Sequence, residues 1–195
     1  MTHFDGIYLG DERFDPVYAE LDRRSAVVFI HPSSPACFEH TSLGYPRPMI
    51  EFIFDTTRAI TNLTLTGTLA KYPNMRIIVP HAGAALPILA DRIGSLAAML
   101  PLGDNKPGEI EILGTFQNLH YEVGAGAPFP RHVSALLDLV DSTQLLFGTD
   151  FPFGPVTAME KAREDLLNTK QLNTQEVQSI LHHNALQLFP PLKEN

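Results

Sequence analysis

Short apolar runs alternate with longer stretches of helical period along this 195-residue chain, and that alternation constrains its fold most. Four runs carry the signal: 26–30 (AVVFI), Arg76–Val79 (RIIV), 119–123 (LHYEV) and 144–147 (QLLF). The first is apolar throughout and predicts a strand buried on both faces, as in a parallel sheet. Helical stretches follow the runs, at 49–72, 86–100, 131–140, 157–167 and 174–189, with a further one at 109–118. Asp15 before Pro16 predicts a short early helix with Asp15 as N-cap. Proline and glycine make 31–48 and 101–108 loops. Four strand-then-helix units predict an α/β fold with a parallel sheet and right-handed crossovers. Two architectures satisfy this: an open doubly wound sheet, or a piece of a (β/α)₈ barrel.

Composition narrows the function classes. Fourteen Lys and Arg against 22 Asp and Glu give a net charge of −8, and 44% of residues are apolar against 18% charged. That is a folded chain, not a disordered one, with no apolar run approaching the roughly 18 residues of a membrane span. A negative balance with no Lys/Arg stripe argues against nucleic acid or an anionic membrane as partner. The one cysteine, Cys37, has no internal disulfide partner, which fits a reducing compartment. It lacks a helix N-terminus or cation to activate it and reads as an unreactive loop thiol. The first residues show no basic segment leading into an apolar core. One domain over 1–195 and a cytoplasmic location are the expectations.

Three residues share one topological address. His31 follows AVVFI directly, His81 follows RIIVP directly, and Asp150 lies three residues past QLLF. The carboxyl ends of parallel strands form the functional face of α/β folds, so these side chains are expected at one mouth. His and Asp ligate Zn²⁺ and similar ions, and His suits proton transfer near neutral pH. Singly, each reads more readily as a loop, turn or capping residue; three at the same end of three strands favour a site. His3, His40, His120, His132, His182 and His183 read as structural or solvated. Neither a nucleotide-binding glycine loop nor a G-x-S-x-G elbow is present.

His31-Pro32, His81-Ala82-Gly83 and Phe147-Gly148-Thr149-Asp150-Phe151-Pro152, each after its strand, resemble the amidohydrolase superfamily. The likeness is to the branch of aminocarboxymuconate-semialdehyde decarboxylase and the aromatic-acid decarboxylases. The stretches DERFDPVYAELDRRSAVVFIHPSSP and HTSLGYPRPMIEFIFDTTRAI look most like the 6-methylsalicylate decarboxylase group. The resemblance implies the C-terminal half of a (β/α)₈ barrel, with strands one to four absent. It implies His31 and Asp150 as metal ligands, for Zn²⁺ or another divalent ion such as Mn²⁺. It implies His81 as the proton-relaying histidine, with Asp150 also catalytic. Arg92 matches an arginine that reaches the substrate carboxylate across a dimer interface; an exposed helix cation is the equal alternative. The implied activity is metal-dependent, non-oxidative decarboxylation of a small aromatic acid, with a possible homodimer. The first-strand His-x-His or Glu-x-His pair of that family has no counterpart here, so weak metal binding and poor turnover are expected of this chain. Hydrolysis of an amide or lactone, or an inactive interaction module, are the competing readings.

Overall fold

The computed structural model describes residues 1–100, 107–126 and 128–189. Most of the expected 101–108 loop therefore lies outside the described residues. A hairpin opens the chain, β1 (His3–Phe4) against β2 (Ile7–Tyr8), turning through Asp5 and Gly6 at positive φ. Its anchor is Asp55, fully buried on a later helix, which accepts from the Thr2 and Tyr8 hydroxyls. Burial and that carboxylate push the Tyr8 phenol up to about 12.

The main sheet contains β3 (Val27–Phe29), β4 (Arg76–Val79), β5 (His120–Glu122) and β6 (Leu145–Leu146), all parallel and in sequential order. Phe29, Ile78 and His120 share one register line, so alternate residues along each strand face opposite sides. One face presents Val28, Ile77, Val79, Tyr121 and Leu145 to a single apolar core. Helices α3 (Glu51–Leu65), α5 (Leu86–Met99), α6 (Glu109–Gln117) and α7 (Arg131–Leu139) cover it. Fully buried side chains such as Tyr121, Phe116 and Leu136 each contribute about 1.5–3 kcal/mol of transfer free energy. The opposite face is smaller: Val27, Ile78 and Leu146 pack on Leu188 and Phe189 at the chain's last described turn.

The remaining helices connect these layers. They are α1 (Asp15–Arg23), α2 (Phe38–Thr41), α4 (Thr68–Lys71), α8 (Val156–Asn168), α9 (Thr174–Gln178) and α10 (Asn184–Leu188). Among the described residues, no helix is long and apolar enough to cross a membrane.

Several sequence expectations are corrected. Strand β3 is not buried on both faces; it is a sheet edge, and Phe29 is 47% exposed. An apolar run cannot by itself distinguish an edge strand from a central one. Asp15 is the first helical residue rather than the N-cap, and its carboxylate pairs with Lys71. The 31–48 loop contains α2, so Cys37 stands at a helix N-cap, although that helix has only four residues. The 49–72 helix breaks at Gly67, which takes φ +74° before α4. The 174–189 helix contains a π-helical turn at Ser179–His183, and Asn173 just before it forms the capping box with Glu176.

Candidate active site

The carboxyl ends of β3, β4 and β6 deliver His31, His81 and Asp150 to one rim. His31 Nε2 lies 3.2 Å from Asp150 Oδ1, and the His31 and His81 ring centroids are 6.1 Å apart. All three sequence candidates that follow strands therefore meet. Arg92 does not join them. It is exposed on α5, and among the described residues it has no hydrogen-bond or ion-pair partner.

The His31 ring is oriented by its other nitrogen. Nδ1 lies 3.1 Å from the Pro32 carbonyl, which can only accept, so Nδ1 carries the proton. In the neutral ring, Nε2 then turns a lone pair toward a carboxylate oxygen. Two acceptors at 3.2 Å need a cation between them, either a proton on Nε2 or a metal ion. Two donors each about 2.1 Å from a tetrahedral ion stand about 3.4 Å apart, so the pair fits a shared ion. The donor count falls short. Among the described residues, no group of three or more His, Cys, Asp and Glu side chains is placed to hold a metal. Both side chains also remain open to water, at 40% and 29% exposure.

His81 differs. Its ring is largely buried, and Nδ1 has no hydrogen-bond partner among the described residues. Burial pushes its pKa below the ordinary histidine value; the Asp150 carboxylate pulls the other way, and His31 and His132 add to the lowering. His81 sits at φ +54°, followed by Ala82 at +53°, Gly83 at +82° and Ala84 at +57°, and Asp150 itself is at +57°. Non-glycine residues in this region cost about 1–3 kcal/mol each, and the strain falls on the residues that form the site.

Residues that sequence reasoning missed surround this centre. Glu122, at the end of β5, is buried, and its Oε2 accepts the His81 backbone N–H at 3.0 Å. Burial pushes its pKa up, three backbone N–H donors pull it down, and Asp150 adds to the rise. Its signal was a charged residue inside a strand ending in Gly-Ala-Gly. His132, one of the histidines expected to be structural or solvated, is structural: it is half-buried, and its Nε2 meets the Ala84 carbonyl. Phe52 of α3 stands edge-on to His31 with centroids 6.5 Å apart, and Phe153 lies 6.1 Å away. Beside Asp150, a cleft of about 270 Å³ opens between the Gly124–Gly126 turn and Met159 and Lys161 of α8. The arrangement offers a cation-binding pair, a buried imidazole and aromatic walls.

Known proteins give this geometry a context. The chain is 35% identical over 188 residues to the 6-methylsalicylic acid decarboxylase of Penicillium expansum, an alignment covering 95% of the chain and 56% of that relative. The chain thus spans little more than half the length of the curated relatives it matches. A crystal structure of an amidohydrolase II superposes with a TM-score of 0.87 at 32% identity, covering 97% of this chain and 60% of that one. The 5-carboxyvanillate decarboxylase of Novosphingobium aromaticivorans, solved with manganese, superposes at 0.85 with 19% identity, covering 97% and 55%. Its likeness is one of fold. The four parallel strands and their helices correspond to half of the (β/α)₈ barrel of these neighbours. The amidohydrolase family model matches residues 1–190, and the chain belongs to the amidohydrolase family.

Proposed function

We propose that this chain forms the metal- and proton-handling rim of a non-oxidative decarboxylase of small aromatic carboxylic acids, with 6-methylsalicylate the first substrate to try. The observation that carries this reading is the 3.2 Å approach of His31 Nε2 to Asp150 Oδ1, with the His81 ring beside them. The aromatic-acid decarboxylases among its relatives support it.

His31 and Asp150 would hold the divalent ion, Zn²⁺ or Mn²⁺. When bound, the ion supplies Lewis-acid polarisation of a substrate oxygen. The other steps belong to the chain. Phe52 and Phe153 suit a flat ring, which stacks or meets them edge-on. His81 in its protonated form gives a proton to the ring carbon bearing the carboxylate; Asp150 is the second carrier at the same rim. The carbon–carbon bond then breaks, its electron pair returns to the ring, and CO₂ departs without a redox cofactor. Arg92, exposed and unpaired, is free to meet a substrate carboxylate bound to a second copy in a homodimer.

Two donors hold an ion less firmly than the three or four of ordinary zinc sites. The isolated chain is therefore expected to bind metal weakly and turn over slowly. Its single domain is read as half of a barrel that is complete in the relatives.

The test is CO₂ release from 6-methylsalicylate and other hydroxybenzoates, with and without added Zn²⁺ or Mn²⁺. Release that depends on added metal is expected. Release undiminished by exhaustive chelation would overturn the reading.

A further inference from the structure

Glu122 is the last residue of β5 and only 5% exposed. A buried carboxylate needs donors, and this one has three, all from the backbone. Oε2 accepts from His81 N–H at 3.0 Å, while Oε1 accepts from Ala125 N–H at 2.8 Å and from Gly124 N–H. The first donor belongs to the turn after β4, the others to the turn after β5. The end of β6 closes the third side. A methyl group at Gly148 would stand 2.7 Å from Glu122 Cγ, and one at Gly124 would stand 1.7 Å from the Gly148 carbonyl oxygen. One side chain thus joins two strand ends and packs against a third; Gly148 leaves room for it, and Gly124 lets the turns after β5 and β6 approach.

The backbone held this way is the unusual one. His81 opens four consecutive positive-φ residues, whose internal support is Gly83 N–H to Pro80 O and Ala84 N–H to His81 O. The hydrogen bond to Glu122 fixes the first peptide of that turn, and with it the direction of the His81 Cα–Cβ bond.

We propose that Glu122 is a positioning residue for His81, holding its backbone so that the imidazole faces Asp150 and His31. The proposal rests on the reading of His81 as proton carrier. Its geometric part stands without that reading.

Glu122→Gln is the discriminating variant. It keeps the volume but replaces one acceptor oxygen with an NH₂ donor. The amide orientation that keeps the Gly124 and Ala125 contacts turns this donor on the His81 N–H; the other orientation loses the turn after β5. In ¹⁵N-labelled full chain, with ring signals assigned by loss in H81Q, E122Q is expected to shift the His81 ring resonances. The His3 and His182 rings should stay in place. Hydrogen-exchange protection of the His81 amide should fall about tenfold or more. With an active preparation, kcat should drop while KM holds, and E122D should restore part of it. An E122Q chain that folds and leaves the His81 ring and amide unchanged would overturn the proposal. If E122Q fails to fold, the wild-type chain decides: the His81, Gly124 and Ala125 amides should be protected together, and a His81 amide exchanging at an open-loop rate would refute the proposal. Absence of CO₂ from every acid tested would count against the decarboxylase reading and leave this result intact.

Discussion

The two sides of the candidate site are built differently. His81 follows the interior strand β4, buried and tied through Glu122 to the end of β5 and the turn after it. His31 stands on the edge strand β3, beside a half-exposed Phe29, with its ring open to water. An apolar groove of about 300 Å³ runs along that edge between Val28, Ile30 and Val17. Preorganisation is therefore uneven. The His81 side is fixed by packing, whereas the His31 side is oriented by the Pro32 carbonyl but has little enclosure.

Substitution of the two histidines probes this contrast most strongly. With an active preparation, H81N should lower kcat by about 10²–10⁴-fold, the usual contribution of a general acid, and excess metal should not restore it. H31N should instead lower metal affinity, and excess Zn²⁺ or Mn²⁺ should recover part of the activity. Steady-state kinetics over a metal titration separates them. Identical responses would erase the distinction between the two sides.

Stability should follow the same division. G124A drives a methyl group into the Gly148 carbonyl and should cost about 3 kcal/mol or more in urea unfolding. V27A, on the half-buried edge strand, should cost about 1 kcal/mol or less. A reversed order would mean that the β3 edge, not the Glu122 brace, carries the fold.

The smallest effect is on acid stability. Burial lowers the pKa of His120 and of His132 from the ordinary 6.5. Between the lowered values and 6.5 the unfolded chain binds more protons, so stability falls as pH drops below 6.5. Glu122 acts in the opposite sense. Its raised value means that the folded chain binds the extra proton above 4.5, so acidification toward 4.5 favours folding. The three histidines with lowered values, His81, His120 and His132, give stability an acid limb below 6.5 that Glu122 opposes. H120N should flatten that limb in urea titrations between pH 7 and pH 5, and an unchanged slope would show that His120 does not contribute.

The contrast also explains what the sequence could reveal. His31, His81 and Asp150 were legible because a parallel sheet turns chain order into position: a residue just past a strand lies on the functional rim. Arg92 had no such rule, since the place of an exposed helix residue in the sequence does not fix what it meets. Glu122 was hidden because one acid in a short strand normally faces water. Gly148, arriving from a different strand, leaves room for it, and Gly124 lets the two turns come together. The edge position of β3 was hidden for a related reason, because AVVFI is equally apolar whether one neighbour flanks it or two. The π-helical turn at Ser179–His183 left no mark in the period of the last helix.

Manganese titration of ¹⁵N-histidine-labelled chain, followed by ring resonances, tests the convergence of His31, Asp150 and His81 most directly. The account predicts that substoichiometric Mn²⁺ broadens the His31 ring first and His81 next, that D150N abolishes both effects, and that a chelator reverses them. Broadening that begins at the adjacent His182 and His183 rings, 5.2 Å apart, and leaves His31 sharp would contradict it.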